Sequence, residues 1–226
     1  MQGRLDIKGD AARAFATLRD GGIGILPMDV GYAVIGCSGE ALERIFVTKR
    51  RAPTKYNAML GSAEISRELH TLTPLQRDVV EAITIDHDLP LGVIGPAAMD
   101  HPMLRAMDEK ALTRSTHNGT VCMLLNAGPF HAEITRLSLE NTRPLFGSSA
   151  NLTMQGTKFR VEDIEDDIKG IADLVVDYGL RKYHGYRLSS TLIDLETMKV
   201  VRYGSCFDTI SDVLRRHFGI ELPQPQ

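Results

Sequence analysis

Ile23-Gly24-Ile25-Leu26-Pro27-Met28-Asp29-Val30-Gly31-Tyr32 is the stretch on which the reading of the chain turns. A short apolar run enters a proline, and the turn that follows carries one carboxylate and one aromatic. Ile23 to Leu26 predicts a strand, and a second short strand is expected near Tyr32–Ile35. An ordinary strand–turn–strand, with Asp29 bonding its own backbone, accounts for the pattern without any function. Upstream, Asp10 is placed to cap a helix with Ala11, Ala14, Phe15 and Leu18 at helical spacing, ended by Asp20-Gly21-Gly22.

Downstream, residues 40–49 predict a helix with Leu42, Ile45 and Phe46 inward, followed by a strand at Ala58-Met59-Leu60 and helices over 64–69 and 74–83. A strand over 91–94 and a short helix over 102–109 are expected next. Thr120 to Leu125 is a continuous apolar run, the pattern of a strand buried on both faces. A helix is expected over 130–140 and a strand end over 144–147. An acidic amphipathic helix follows over 161–168, its charges read as a solvated face. Strands are expected over 174–176, 190–194 and 200–202. The last helix, 209–218, stops at Gly219, and the tail from Leu222 onward reads as frayed. Strands interleaved with helices make an α/β sheet. One domain is expected over 1–226, with a core of about 10–205 and the helix 209–218 appended.

Of 226 residues, 43% are hydrophobic and 24% charged, which gives a packed core. The formal net charge of −3 leaves bulk attraction to nucleic acid or an anionic membrane out of account, so a phosphate site must come from a local cluster of cations. Cys37, Cys122 and Cys206 are too scattered for a disulfide framework or a zinc site, and no metal ligand set is expected. The opening residues MQGRLDIKGD lack an apolar stretch of the signal-peptide kind, and no apolar run reaches membrane-spanning length; a cytoplasmic protein without a membrane partner is the expectation.

Four segments fall at or beside predicted element ends, where ligand sites gather. The first is Pro27 to Tyr32. The second, Lys49-Arg50-Arg51-Ala52-Pro53-Thr54-Lys55, has four cations in a helix end and the loop after it. Such a cluster offsets a helix dipole, and equally receives a triphosphate. The third, Gly147-Ser148-Ser149-Ala150-Asn151, allows close approach of a ligand to backbone, or forms a cap or turn. The fourth is Ser189 to Asp194 with Val201-Arg202-Tyr203-Gly204 behind it.

In order, P-x-D-x-x-Y, K-x-R, S-A-N, S-T-x-x-D and x-R-x-G resemble the YrdC-like family, over about residues 20–204. The resemblance implies an open, twisted mixed sheet with flanking helices and a concave basic cleft. It also implies the family's chemistry: threonylcarbamoyl-adenylate made from threonine, bicarbonate and ATP with release of pyrophosphate, for modification of an adenosine in tRNA. By position, Lys49 and Arg51 are its catalytic cations and, with Lys55, its triphosphate ligands. Ser149 and Asn151 match the nucleotide contacts, Ser190 and Thr191 the step bordering the cleft, and Arg202 the late arginine near the nucleotide. Pro27, Asp29 and Tyr32 match the first motif of the substrate pocket. ATP and Mg²⁺ are the implied cofactors, an amino acid or related acceptor the implied partner, and tRNA or double-stranded RNA a further one.

The departures from that pattern matter as much. Met28 and Val30 stand where the family has threonines, and Ala33 where it has glycine. Leu124 stands where a strand arginine serves the amino acid. The usual P-G-P-x-T loop survives only as Ile94-Gly95-Pro96-Ala97-Ala98, and the S-A-N tail continues as Leu152-Thr153-Met154. Loss of a cation facing a desolvated carboxylate costs on the order of 2–5 kcal/mol. Arg114, Arg143 and Arg187 are cations the fold could bring in as replacements. No general base is evident: His70 and His184 lie nearest the motifs, and a lone histidine is more often structural. Three readings follow: a divergent synthase, a paralogous adenylate-forming enzyme with another acceptor, and a non-catalytic nucleotide- or double-stranded-RNA-binding module.

Overall fold

The computed structural model describes residues 3–223. In chain order the elements are α1 (Ile7–Arg19), β1 (Gly24–Met28), β2 (Gly31–Gly36), α2 (Gly39–Thr48), β3 (Ala58–Leu60), α3 (Ala63–Leu69), α4 (Pro74–Glu81), β4 (Leu91–Pro96), α5 (Pro102–Arg105) and α6 (Glu109–Ser115). Then come β5 (Thr116–His117), β6 (Thr120–Leu125), α7 (Pro129–Glu140), β7 (Phe146–Ser149), α8 (Asp166–Lys169), β8 (Leu174–Val175), β9 (Leu192–Asp194), β10 (Lys199–Arg202) and α9 (Phe207–Phe218).

The strands form one mixed sheet in the order β10-β9-β4-β6-β3-β7-β2-β1-β8, with β5 hairpinned onto β6. β1 and β2 are antiparallel partners joined through Asp29-Val30, with Met28 opposite Gly31. Pro27 lies inside β1 rather than after it. It is tolerated because β8 pairs β1 only at Gly24 and Ile25, so the outer side of Pro27 needs no ladder donor. Gly31 has φ +116°, and a Cβ there would meet Thr157 at 2.3 Å, so only glycine fits the turn.

The two faces of the sheet are covered unequally. On one, Val34, Met59, Val93, Val121, Met123, Leu125 and Phe146 pack with side chains from α2, α3, α4, α6 and α9, including Leu42, Ile45, Ile65, Val79, Ile210 and Leu214. On the other, α1 and α7 pack against each other and against β1, burying Phe15, Leu18, Phe130 and Ile134 with Leu26 and Ile35. These two helices cover only part of that face.

The structure corrects several expectations. α1 is capped by Asp6, which accepts from the Gly9 N–H; Asp10 sits in the first turn and accepts from the Tyr178 hydroxyl at 2.7 Å. The cap therefore lies one helical turn earlier than the apolar spacing indicated. The helix expected over 102–109 is only α5, and α6 follows with Asp108 as its own N-cap. Residues 161–168 form a 3-10 turn and the single-turn α8, because Ile164 is extended between them and its side chain joins the core. β6 is not buried on both faces: Val121, Met123 and Leu125 are buried, while Thr120, Cys122 and Leu124 are half-buried. In the tail, Leu222 packs into the core with 5% exposure; Gln224 to Gln226 lie outside the described residues.

Candidate functional site

The part of the sheet face that α1 and α7 leave bare is the wall of a cavity of about 560 Å³. β6 presents Cys122 and Leu124 to it, β4 Gly92, β2 Ala33 and Ile35, and β7 Gly147 and Ser149. The strand alternation that buries Met123 therefore exposes its neighbours on either side.

Cations enter from two directions. α2 ends at Thr48, and the chain turns sharply at Arg50, where φ is +52°. This places Lys49, Arg51 and Lys55 on the cavity lining. From the far edge of the sheet, β10 supplies Arg202. Arg51 is anchored by donating to the Tyr56 carbonyl (2.7 Å) and Asn57 Oδ1 (3.2 Å). Arg202 donates to the Ser190 carbonyl (2.9 Å) and to Ser190 Oγ (3.2 Å), so Ser190 orients the guanidinium. Lys55 is exposed at the mouth.

Lys49 is different. It is 4% exposed, and its Nζ donates to the carbonyls of Ser149 and Asn151. Thr153 returns its hydroxyl and its N–H to the Lys49 carbonyl (2.5 and 3.2 Å). Lys49 thus ties the end of α2 to the segment after β7. Burial, reinforced by Arg51, lowers its pKa to about 7. A charged ammonium here would have one N–H left for a ligand.

Asn151, 7% exposed and among the lining residues, donates its amide to the Leu152 carbonyl, and its Oδ1 is buried without a partner. A buried unpaired acceptor is costly unless a ligand donates to it.

Of the residues expected from sequence, Tyr32, Lys49, Arg51, Lys55, Leu124, Ser149, Asn151, Ser190 and Arg202 come together on this lining. Pro27, Asp29 and Thr191 do not. Thr191 is fully buried and donates to the Ser205 carbonyl (3.0 Å). Asp29 is 7% exposed, pairs with Arg181 (3.1 Å) and Lys182 (3.9 Å), and presses against Gly128, where a Cβ would lie 2.4 Å from its carboxyl carbon. Burial raises its pKa, with Arg181 and Lys182 opposing the rise. The turn carboxylate is a tie between the β1–β2 hairpin and residues 181–183. Tyr32 borders the lining, but its side chain belongs to the core with Ile25 and Val34, and its hydroxyl is engaged with Asp177 and the Gly179 carbonyl, both at 2.9 Å.

The candidate replacement arginines do not line the cavity. Arg114 pairs with Glu43 at 3.0 Å and lies over the Phe46 ring. Arg143 and Arg187 are likewise off the lining. His70 is buried between Ser66 and the Val121 carbonyl, and burial lowers its pKa to about 4; His184 is exposed. Neither histidine reaches the cavity.

Sequence reading missed Tyr56, Thr153 and Thr157 on the lining, and His131 behind it. His131 sits under Leu124: Nε2 meets the Leu124 carbonyl at 3.1 Å and Nδ1 accepts from the Ala127 N–H at 3.3 Å. Tyr56, next to Lys55, was the one miss with a local signal, an aromatic beside the cation cluster.

A family model covering Sua5, YciO and YrdC, described as telomere recombination, matches residues 16–204. No curated protein sequence matches the chain. Among solved structures, a hypothetical protein of Streptococcus mutans is 24% identical with a TM-score of 0.80, covering 98% of this chain and 95% of that one. Sua5 of Pyrococcus abyssi complexed with L-threonine is 20% identical with a TM-score of 0.74, over 98% of this chain but 61% of the Sua5 chain. Full-length HypF in a phosphate- and nucleotide-bound form is 16% identical with a TM-score of 0.61, over 85% of this chain and 23% of HypF. With the family model spanning most of its length and the same fold in all three structures, the chain is a member of the Sua5/YciO/YrdC family.

Proposed function

We propose that this cavity binds ATP and activates a carbamate as its adenylate, in the manner of a threonylcarbamoyl-adenylate synthase. The observation that carries the reading is the convergence of three cations, Arg51, Lys55 and Arg202, on the lining of one cavity. Two related structures, Sua5 complexed with L-threonine and HypF with phosphate and nucleotide bound, support an amino acid and a nucleotide as ligands.

The chemistry asks for positioning more than covalent help. An amine and bicarbonate give a carbamate, R–NH–COO⁻, and water. A carbamate oxygen then attacks the α-phosphorus of ATP, the bond to the β-phosphate bridging oxygen breaks, and pyrophosphate leaves with the electron pair. Charge builds on the pyrophosphate, which Arg51, Lys55 and Arg202 would neutralise. Lys49, with two N–H groups committed to carbonyls, holds the Ser149–Asn151 segment in place and contributes at most one donor to phosphate. Mg²⁺ fits poorly as a protein-held cofactor. No Asp, Glu or His lines the cavity, and no metal-binding cluster exists among the described residues. No step is assigned to it.

The test is bicarbonate-dependent pyrophosphate release from ATP, screened across the amino acids, beside calorimetric titration with ATP. Turnover with any acceptor supports the reading. ATP binding without turnover makes the protein a nucleotide-binding module, and absence of ATP binding removes the site assignment.

A further inference from the structure

We propose that the acceptor at this site is an amine carrying an aliphatic side chain, in preference to the hydroxylated side chain of threonine. The proposal rests on the adenylate-forming reading above and specifies its second substrate. Its basis is a row of side chains fixed by strand pairing. Leu60 of β3 pairs with Leu124 of β6, Leu124 pairs with Gly92 of β4, and Gly92 pairs with Leu192 of β9. Paired residues project to the same face, so these four lie in line across adjacent strands, each step about 4.8 Å. Gly92 leaves no gap in the row. A Cβ there would meet Leu192 Cδ1, Ser190 Oγ and the Thr191 carbonyl, each at 3.1 Å, so Leu192 and the Ser190 hydroxyl share the space over the glycine and the row is aliphatic at Leu60 and Leu124 on its other side.

The hairpin side of the cavity extends this floor. Ala33 and Ile35 of β2 share the open face, and Met28 closes its end. Ser148 pairs with Val34, whose side chain is in the core of the opposite face, so the Ser148 hydroxyl turns away from the floor. The other hydroxyls among the lining residues are at Ser149, which pairs with Ala33, at Thr157, which packs on Gly31 of the hairpin turn, and at Tyr56, Thr153, Ser189 and Ser190; none belongs to β3 or β6. A hydroxyl seated on Leu60 and Leu124 would lose water without gaining a partner from them, whereas a branched hydrocarbon loses nothing there. Where the family pattern puts an arginine, this chain sets Leu124 beside Leu60, an aliphatic patch in the middle of the open face.

The experiment compares pyrophosphate release, with ATP and bicarbonate, for isoleucine, leucine, valine, threonine, serine and isobutylamine. Isobutylamine reports whether an acceptor carboxylate is needed at all. The expected result is a kcat/KM for the best aliphatic acceptor at least about tenfold above that for threonine, the scale of one well-matched apolar contact. Leu124→Thr should erase that preference with ATP affinity retained, and Leu124→Met should keep it. Should Leu124→Thr fail to fold, Leu192→Thr takes its place. Threonine or serine used as well as or better than every aliphatic acceptor overturns the proposal. If ATP binds but nothing turns over, titration of isoleucine and isobutylamine into the ATP-loaded protein decides. Heat for these and not for threonine supports the aliphatic seat, and no heat overturns it. A failure of the nucleotide reading itself shows separately, as absent ATP binding.

Discussion

The two faces of β6 place neighbouring residues in opposite circumstances. Val121, Met123 and Leu125 are fully buried against the helices of one layer, while Cys122 and Leu124 border the cavity. One backbone thus packs a core on one side and walls a cavity on the other. Two buried histidines hold it near its ends, His70 through the Val121 carbonyl and His131 through that of Leu124. The contrast teaches where divergence is tolerated. Changing a residue on the closed face disturbs dense packing, whereas changing the half-buried Leu124 mainly alters the cavity wall.

The largest effect should come from deleting a side chain on the closed face. Met123→Ala is expected to destabilise the fold by about 2–5 kcal/mol, and Leu124→Ala by less than about 1 kcal/mol. Urea unfolding measures both. Equal losses would mean that the two faces are not different environments. The histidines give a comparable effect through pH. Burial lowers both His70 and His131 to about 4, against an ordinary unfolded value of about 6.5. Between those values the unfolded chain binds more protons than the folded one, so stability rises with pH across the window. Full stability is therefore expected above about 6.5 and is lost as pH falls toward 4, by on the order of 3 kcal/mol for each histidine. His131→Gln should flatten part of this acid limb in unfolding curves taken from pH 4 to 7; an unchanged limb would show that His131 titrates normally.

On the open face, Arg51→Ala should weaken ATP binding by about 1.5–3 kcal/mol, the worth of a charged hydrogen bond, whereas Leu124→Thr should leave it unchanged. Calorimetry with both variants separates the cation end of the cavity from its aliphatic floor, and equal losses would merge them. The smallest signal concerns Lys49. With its pKa near 7 before ligand binds, an arriving triphosphate favours the charged form. ATP binding at pH 8 should then take up a fraction of a proton, seen as a binding enthalpy that varies with buffer ionisation enthalpy. No uptake would confine Lys49 to holding the segment after β7.

Sequence alone determined most of the elements and most of the cavity-lining candidates, because both are local. Apolar spacing set α1, α2, α7 and α9. The order of Lys49-x-Arg51, Ser149-Ala150-Asn151 and Arg202 was readable as a pattern before any packing was known. Leu124 stood out as a departure for the same reason. What the sequence could not supply was every relation between distant residues. Asp29 looked like a substrate carboxylate until Arg181, 152 residues away, proved to be its partner. Lys49 looked like a free cation until two carbonyls beyond β7 closed on its Nζ. A run such as Thr120 to Leu125 carries hydrophobicity on both faces, and nothing local says which face a helix will cover. That was decided by α1 and α7, which meet over β1 and reach β6 at its Leu124 end, through His131. The cavity is the area they leave uncovered, a consequence of helix placement across the whole sheet that no single stretch of residues encodes.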